Sequence, residues 1–293
     1  MLNISKEESL ALKGIAVLLI LVCHLIGGGF GFRYVTPMGG IGVAIFLFLS
    51  GYGVNESFAK KSLTNFWENK ITRILLPYLL WIIIVIPISY FLYGRISWFP
   101  RYWYLEYLFL WYGLFWLTKK IFTRSANPIM LFVSLVMFCF LPNLQSEQSF
   151  SFILGVLLSS NKDKLENSSR YQYMILSLLL MLFGVLSLGL KQFDFVRAFH
   201  EDHLFVKLLQ LLIKLPIGLS IIIMYVIGAN KFFYTKILSS LGILSLEVYL
   251  VQMSLYGYIS YSFGRLCLVL VLLTFFVSAL YKMLKIFNNY KWY

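Results

Sequence analysis

Charge is what this sequence has least of. Only 13% of its 293 residues are Asp, Glu, Lys or Arg, against about 25% in a soluble globule. Apolar residues make up 60%, and the mean hydropathy is +0.81. A surface so poor in charge excludes an ordinary soluble domain and leaves a lipid-facing one. Acidic residues are the scarcer sign: 12 Asp and Glu stand against 25 Lys and Arg, a net charge of +13. In a soluble chain that excess would suggest nucleic acid. Here the bases fall between apolar runs, the pattern that orients a membrane protein, so no nucleic-acid partner is expected.

Cysteine and histidine are nearly absent. Cys23, Cys139 and Cys267 all lie inside apolar runs; their odd number and lack of framework spacing exclude a disulfide scaffold, and they read as small core residues with no metal site. Of the 3 histidines, His200 and His203 share the polar loop KQFDFVRAFHEDH. Two loop histidines with no third ligand read as loop, so no metal is expected. His24 alone lies in an apolar run. That run has no small-residue cleavage site after it and is kept as the first membrane helix, with no cleavable signal.

What the sequence does have is long hydrophobic runs. A bilayer core needs roughly 20 apolar residues per helix, fewer beside polar cavities. Ten candidates fall near residues 10–27, 39–58, 74–93, 102–118, 128–142, 149–160, 171–190, 206–228, 237–260 and 266–285. The sixth is short and the eighth holds Lys214. The expected fold class is therefore all-α, a polytopic integral membrane protein of about ten transmembrane helices. Connections are short, so residues 1–293 read as a single membrane-embedded domain with no separate soluble domain. Lys6, Lys60, Lys61, Lys119, Lys120, Lys162 and Lys282 gather on one side if the N-terminus is inside. By the positive-inside rule both termini are then cytoplasmic. The Asn-x-Ser/Thr matches at Asn3, Asn55 and Asn167 fall on or near that inner side and carry no weight as glycosylation sites.

The chemistry begins in LALKGIAVLLILVCHLI, residues 10 to 26. Lys13 and His24 are eleven positions apart, so a helix brings them within roughly 20° of one face and about 16 Å apart along its axis. An ionisable group at membrane depth costs a few kcal/mol and usually meets a partner or a wet cavity. Lys13 lies toward the cytoplasm and His24 toward the far side. Lys70 and Arg73, three apart, share a face at the cytoplasmic mouth of the third run. They read as an orientation anchor or as a phosphate contact. Glu106, about one turn into the fourth run, falls by this topology in the same leaflet as His24 and is a candidate partner for it or a sugar-binding carboxylate. Glu247 and Gln252 lie at membrane depth in the ninth.

Lys, ten residues and His in the first helix, then GGIGVAIFLFLSGY, NKITRILLPY, the WYL of the fourth run and SLEVYLVQ resemble, in order, the integral membrane acyltransferase family 3. The resemblance implies transfer of an acyl group, most often acetyl, from cytoplasmic acyl-CoA to a hydroxyl of an extracytoplasmic or lipid-linked glycan. It implies acyl-CoA as co-substrate with no permanently bound cofactor, a plasma-membrane location, and a role at the site for Ser50, Gly51, Tyr52 and Trp103. A homo-oligomer is compatible with it. The family usually has Arg where Lys13 stands, often Arg in place of Lys70, and often His in place of Gln252. Lys13, Lys70 and Arg73 would meet the phosphates of acyl-CoA, as charges rather than as a full set of guanidinium forks. His24 would take the proton of the attacking hydroxyl or carry the acyl group covalently; both routes stay open. The competing reading is a transporter or polysaccharide-export component with His24, Glu106 and Lys214 as its polar path.

Overall fold

In the computed structural model, which describes residues 3–28, 30–93, 102–122, 125–165, 169–228, 235–255 and 263–288, the chain is helical, with no strand among those residues. Asn167, which enters the sequence reading, lies outside them. The first elements are α1 (Lys6–Val22), α2 (Pro37–Lys61), α3 (Phe66–Lys70), α4 (Leu76–Tyr93) and α5 (Trp103–Ile121). Next come α6 (Ala126–Phe140), α7 (Asn143–Ser146), α8 (Ser151–Ser160), α9 (Lys162–Leu165) and α10 (Arg170–Leu190). The last are α11 (Asp194–Arg197), α12 (Leu204–Gly228), α13 (Thr235–Ile243), α14 (Ser245–Leu255) and α15 (Phe263–Asn288).

Five segments are long and apolar enough to cross a membrane: Lys6–Gly28, Pro37–Lys61, Phe66–Pro87, Arg170–Leu190 and Leu204–Gly228. A sixth is added if α13 and α14, bent by 65°, form one broken span. The ten spans expected from the sequence are more than this supports. Helices do form at 128–142 and 149–160, but α6 has 15 residues and α8 has 10. At 1.5 Å per residue they are about 22 and 15 Å long, too short to cross a core of about 30 Å alone.

Local sequence explains where the helices start. Ser5 and Glu8 close a reciprocal capping box on α1: Glu8 N–H donates to Ser5 Oγ at 3.2 Å and Ser5 N–H to Glu8 Oε2 at 2.7 Å. Ser169 and Gln172 do the same for α10. Pro37 occupies the first turn of α2, where its missing N–H costs nothing. Lys60 and Lys61 lie in the last turn, and Ser62 ends the helix at φ 52.

Close crossings at glycine build the centre. A Cβ on Gly51 would lie 2.0 Å from Phe152 O, and one on Gly155 2.0 Å from Phe48 O, so α2 and α8 touch backbone to backbone through reciprocal glycines. Helices α1 and α2 run antiparallel, with Gly42 against Ala16 and Ile20 and Gly39 against Cys23. Helix α12 runs beside α2 in the same direction, Lys214 lying against Gly40 and Gly218 against Ala44. Trp111 stacks on Phe152 at 5.3 Å, and Phe115 meets Phe58 and Phe66, filling the space between α5, α2 and α3. Leu178, Leu179, Leu182, Phe183 and Leu186 of α10 are exposed, a face made for lipid.

One end of the bundle is pinned by polar contacts. Asn55 Nδ2 donates to Ser159 Oγ at 2.9 Å, Ser159 Oγ to Glu56 Oε1 at 2.8 Å, and Lys162 Nζ to both Glu56 oxygens. The carboxylate holds the Lys162 ammonium above the ordinary lysine value. The opposite end holds the start of α2, the turn between α7 and α8, and the loop between α10 and α12.

Candidate active site

Both sequence motifs richest in chemistry sit where a helix loosens. After Val22 the chain continues as a π-helical segment, Cys23–Gly28, and His24 is its second residue. Between α3 and α4 a second π-helical segment, Ile71–Leu75, carries Arg73. Such wide turns are uncommon within helices and recur at functional sites.

Lys13 of α1, Lys70 at the end of α3 and Arg73 come together, close enough that each acts electrostatically on another of the three. Lys70 Nζ rests over the Tyr112 ring at 4.1 Å and the Phe66 ring at 5.7 Å. The cation–π contact holds the ammonium in place but leaves its charge uncompensated. The ion pairs among the described residues are Lys162–Glu56, Lys207–Asp202 and Lys214–Glu147. None involves the three converging cations. Among the described residues no ion pair neutralises this positive cluster, in which Lys13 and Lys70 are half-buried and Arg73 is exposed.

His24 is half-buried and shares its helix with Lys13, roughly 16 Å away along the axis. The Gln252 side chain of α14 lies near the His24 imidazole. Gln252 is 2% exposed, and neither of its amide atoms makes a well-formed hydrogen bond among the described residues. An amide at that position can steer the ring and its tautomer through one hydrogen bond.

Glu106 is placed differently from the expectation. Phe46 of α2 packs on Tyr104 at 6.0 Å and Phe58 on Phe115 at 6.0 Å, so α5 runs in the direction of α2 but begins well below its start. Glu106 is therefore roughly 12 Å deeper along the bundle than His24, which is level with Gly39. It is exposed, its charge is felt by Tyr78 and Tyr249, and none of the ion pairs links it to His24. Counting residues from the start of each apolar run assumed that the runs start at one level, and the ring contacts put the start of α5 beside the interior of α2. Lys214 is likewise held by Glu147, and the structure does not gather His24, Glu106 and Lys214 into one path.

The remaining candidates divide. Gly51 makes the α2–α8 crossing. Tyr52 OH donates to Asn3 Oδ1 at 3.0 Å and accepts from Ile4 N–H at 3.2 Å, tying the segment before α1 to α2. Tyr104 and Tyr112 of α5 lie near Ser50 of α2. Trp103 opens α5 and is half-buried, edge-on to Tyr104 at 6.5 Å. His200 and His203 accept backbone N–H bonds from Asp202 and Phe205 through Nδ1, at 3.2 and 3.3 Å, as turn-closing residues do. No group of three His, Cys, Asp or Glu is placed to hold a metal among the described residues.

One comparison with known families finds a match. The acyltransferase domain of acyltransferase family 3 matches residues 10–283. The chain belongs to this family. No curated protein and no solved structure matches it. For this membrane acyltransferase the family match spans every element from α1 into α15, and both ends of the candidate site fall within it.

The sequence reading did not assign Gln252 to His24, nor a partner to Lys214. A signal existed for the second alone: a lysine inside an apolar run requires a counter-charge.

Proposed function

We propose that this membrane acyltransferase moves an acyl group, acetyl in the first instance, from cytoplasmic acyl-CoA to a hydroxyl of an extracytoplasmic or lipid-linked glycan. The observation that carries the reading is the cluster of Lys13, Lys70 and Arg73, which forms no ion pair among the described residues, together with His24 further along the helix of Lys13. The cluster suits the phosphates of coenzyme A, and the rise of roughly 16 Å from Lys13 to His24 suits an extended pantetheine arm. The thioester then lies beside His24. The imidazole takes the proton of the acceptor hydroxyl as its oxygen attacks the acyl carbon, the C–S bond breaks, and the imidazolium returns that proton to the leaving thiolate. Gln252 keeps the ring turned toward the acceptor. Placing the donor phosphates on the cytoplasmic side follows the positive-inside assignment, with both termini cytoplasmic in the plasma membrane. The test is acyl-CoA turnover in membranes containing the chain, with and without a glycan acceptor, against His24→Ala at equal protein. Turnover that survives His24→Ala would remove the imidazole from the reaction.

A further inference from the structure

The reaction above leaves unused the one ion pair that is buried on both sides among the described residues. Lys214 is 7% exposed and Glu147 2%. Lys214 Nζ bonds Glu147 Oε2, joining α12 to the turn between α7 and α8, 67 positions away in sequence. That turn is polar yet buried: Ser146, Glu147, Gln148, Ser149 and Ser151 are all shielded, and Ser151 Oγ donates to Gln148 Oε1 at 3.2 Å. Charges and amides withdrawn from water this fully are costly, and removing one partner strands the other.

What the pair touches is the first turn of α2. The Lys214 side chain lies across Gly40, where a Cβ would come within 2.4 Å of Cδ and 2.5 Å of Cε. Gln148 Nε2 donates to Gly40 O at 2.9 Å from the same side. On the neighbouring face the same turn meets Cys23: its Sγ donates to Thr36 O at 3.2 Å, and a Cβ on Gly39 would lie 2.7 Å from it. Cys23 opens the π-helical segment and is bonded directly to His24. The turn Thr36–Gly40 is thus gripped between the buried pair and the residue that precedes the imidazole.

We infer that Glu147 and Lys214 are positioning residues for His24, clamping the start of α2 against the π-helical segment so that the imidazole is held at the acyl carbon. This inference rests on the acyl-transfer reading for its kinetic consequence, and on geometry alone for the clamp. The wide turn at Cys23–Gly28 is an uncommon conformation that needs outside support. Displacing a reacting group by about 1 Å costs on the order of a hundredfold in rate, whereas the cation cluster, roughly 16 Å away, is untouched by the clamp.

The experiment uses the full chain in membranes, in a Cys139→Ser, Cys267→Ser background that leaves Cys23 as the single thiol. Four variants are compared: Glu147→Gln, Lys214→Met, the reversed pair Glu147→Lys with Lys214→Glu, and Gly40→Ala, which pushes the Lys214 chain aside without changing a charge. Two quantities are read: acyl transfer, as kcat and the KM for acyl-CoA, and the rate at which a maleimide labels Cys23. The clamp requires that both single charge variants and Gly40→Ala lower kcat by about a hundredfold with the KM for acyl-CoA unchanged, and speed Cys23 labelling. It requires that the reversed pair recover both. A single variant with unchanged labelling, or a KM that rises in step with the fall in kcat, overturns it. If the charge variants do not accumulate, Gly40→Ala and the reversed pair decide the matter by the same two readings. Should the parent show no acyl transfer, the functional reading fails while the labelling rates still decide the clamp.

Discussion

Replacing Lys13 with methionine should weaken acyl-CoA binding and strengthen the empty protein at once. Lys13, Lys70 and Arg73 lie within electrostatic reach of one another and none pairs with an acid among the described residues. Removing the Lys13 charge therefore relieves repulsion when no anion is bound. With donor bound, the same change deletes a charge-assisted contact to phosphate. A hydrogen bond to a charged group contributes about 1.5 to 3 kcal/mol, and each 1.4 kcal/mol is about tenfold in affinity. Lys13 is half-buried, so its contact belongs in that range, and the KM for acyl-CoA should rise about tenfold to a hundredfold. Arg73 is exposed, and screening holds an exposed pair to at most about 1 kcal/mol, so Arg73→Ala should raise KM by no more than about fivefold. Lys13→Arg should retain function, because charge and donors remain. The assay is initial-rate acyl transfer in membrane vesicles across a series of acyl-CoA concentrations, at low and high salt, paired with a thermal unfolding scan of the empty protein. A KM unchanged in both Lys13→Met and Arg73→Ala would refute the phosphate assignment and leave the cluster as an orientation anchor. A lower melting temperature for empty Lys13→Met would refute the repulsion argument, whatever the kinetics.

His24→Gln should abolish transfer at undiminished protein level in the membrane, since the amide cannot carry the proton between hydroxyl and thiolate; near-normal turnover would make the imidazole structural. Gln252→Leu should lower kcat by about tenfold while leaving the KM for acyl-CoA in place, because it frees the ring and touches nothing at the cation cluster; a rise in KM alone would mean that Gln252 serves donor binding instead. Gly51→Ala should deplete folded protein, because its Cβ would sit 2.0 Å from the Phe152 carbonyl oxygen and backbone cannot step aside as a side chain can. Overpacking of this kind costs about 1 to 3 kcal/mol or more. Solubilised Gly51→Ala with a parental melting temperature would contradict the α2–α8 crossing.

Some of this architecture is readable in the sequence because it is local. Helical class follows from apolar runs without alternation. The capping box at Ser5 and Glu8 follows from spacing three. Span number is not local in this sense. A run such as SFILGVLLSS is apolar because it is packed in the bundle, with Gly155 against Phe48, and its 10 helical residues never had to reach both membrane faces. The depth of Glu106 was illegible for a related reason: it depends on where α5 starts beside α2, fixed by Phe46 on Tyr104, two rings 58 positions apart.

The buried pair shows where the limit falls. Lys214 stands out in an apolar run, and membrane energetics demand a counter-charge for it, yet the sequence offers 12 acids and no spacing rule to choose among them. Glu147, in what reads as a connection between two apolar runs, is a poor choice by sequence. It becomes the partner because the turn carrying it folds inward, with Gln148 bonded to Gly40 O and Ser149 fully shielded, onto the face of α2 that Gly40 leaves open for the lysine chain. A glycine that looks like one more small membrane residue thus determines where a lysine lies, and the lysine determines which acid is buried. The order of dependence runs through three elements distant in sequence and ends one residue from His24, so the surroundings of the imidazole follow from packing that one-dimensional spacing does not encode.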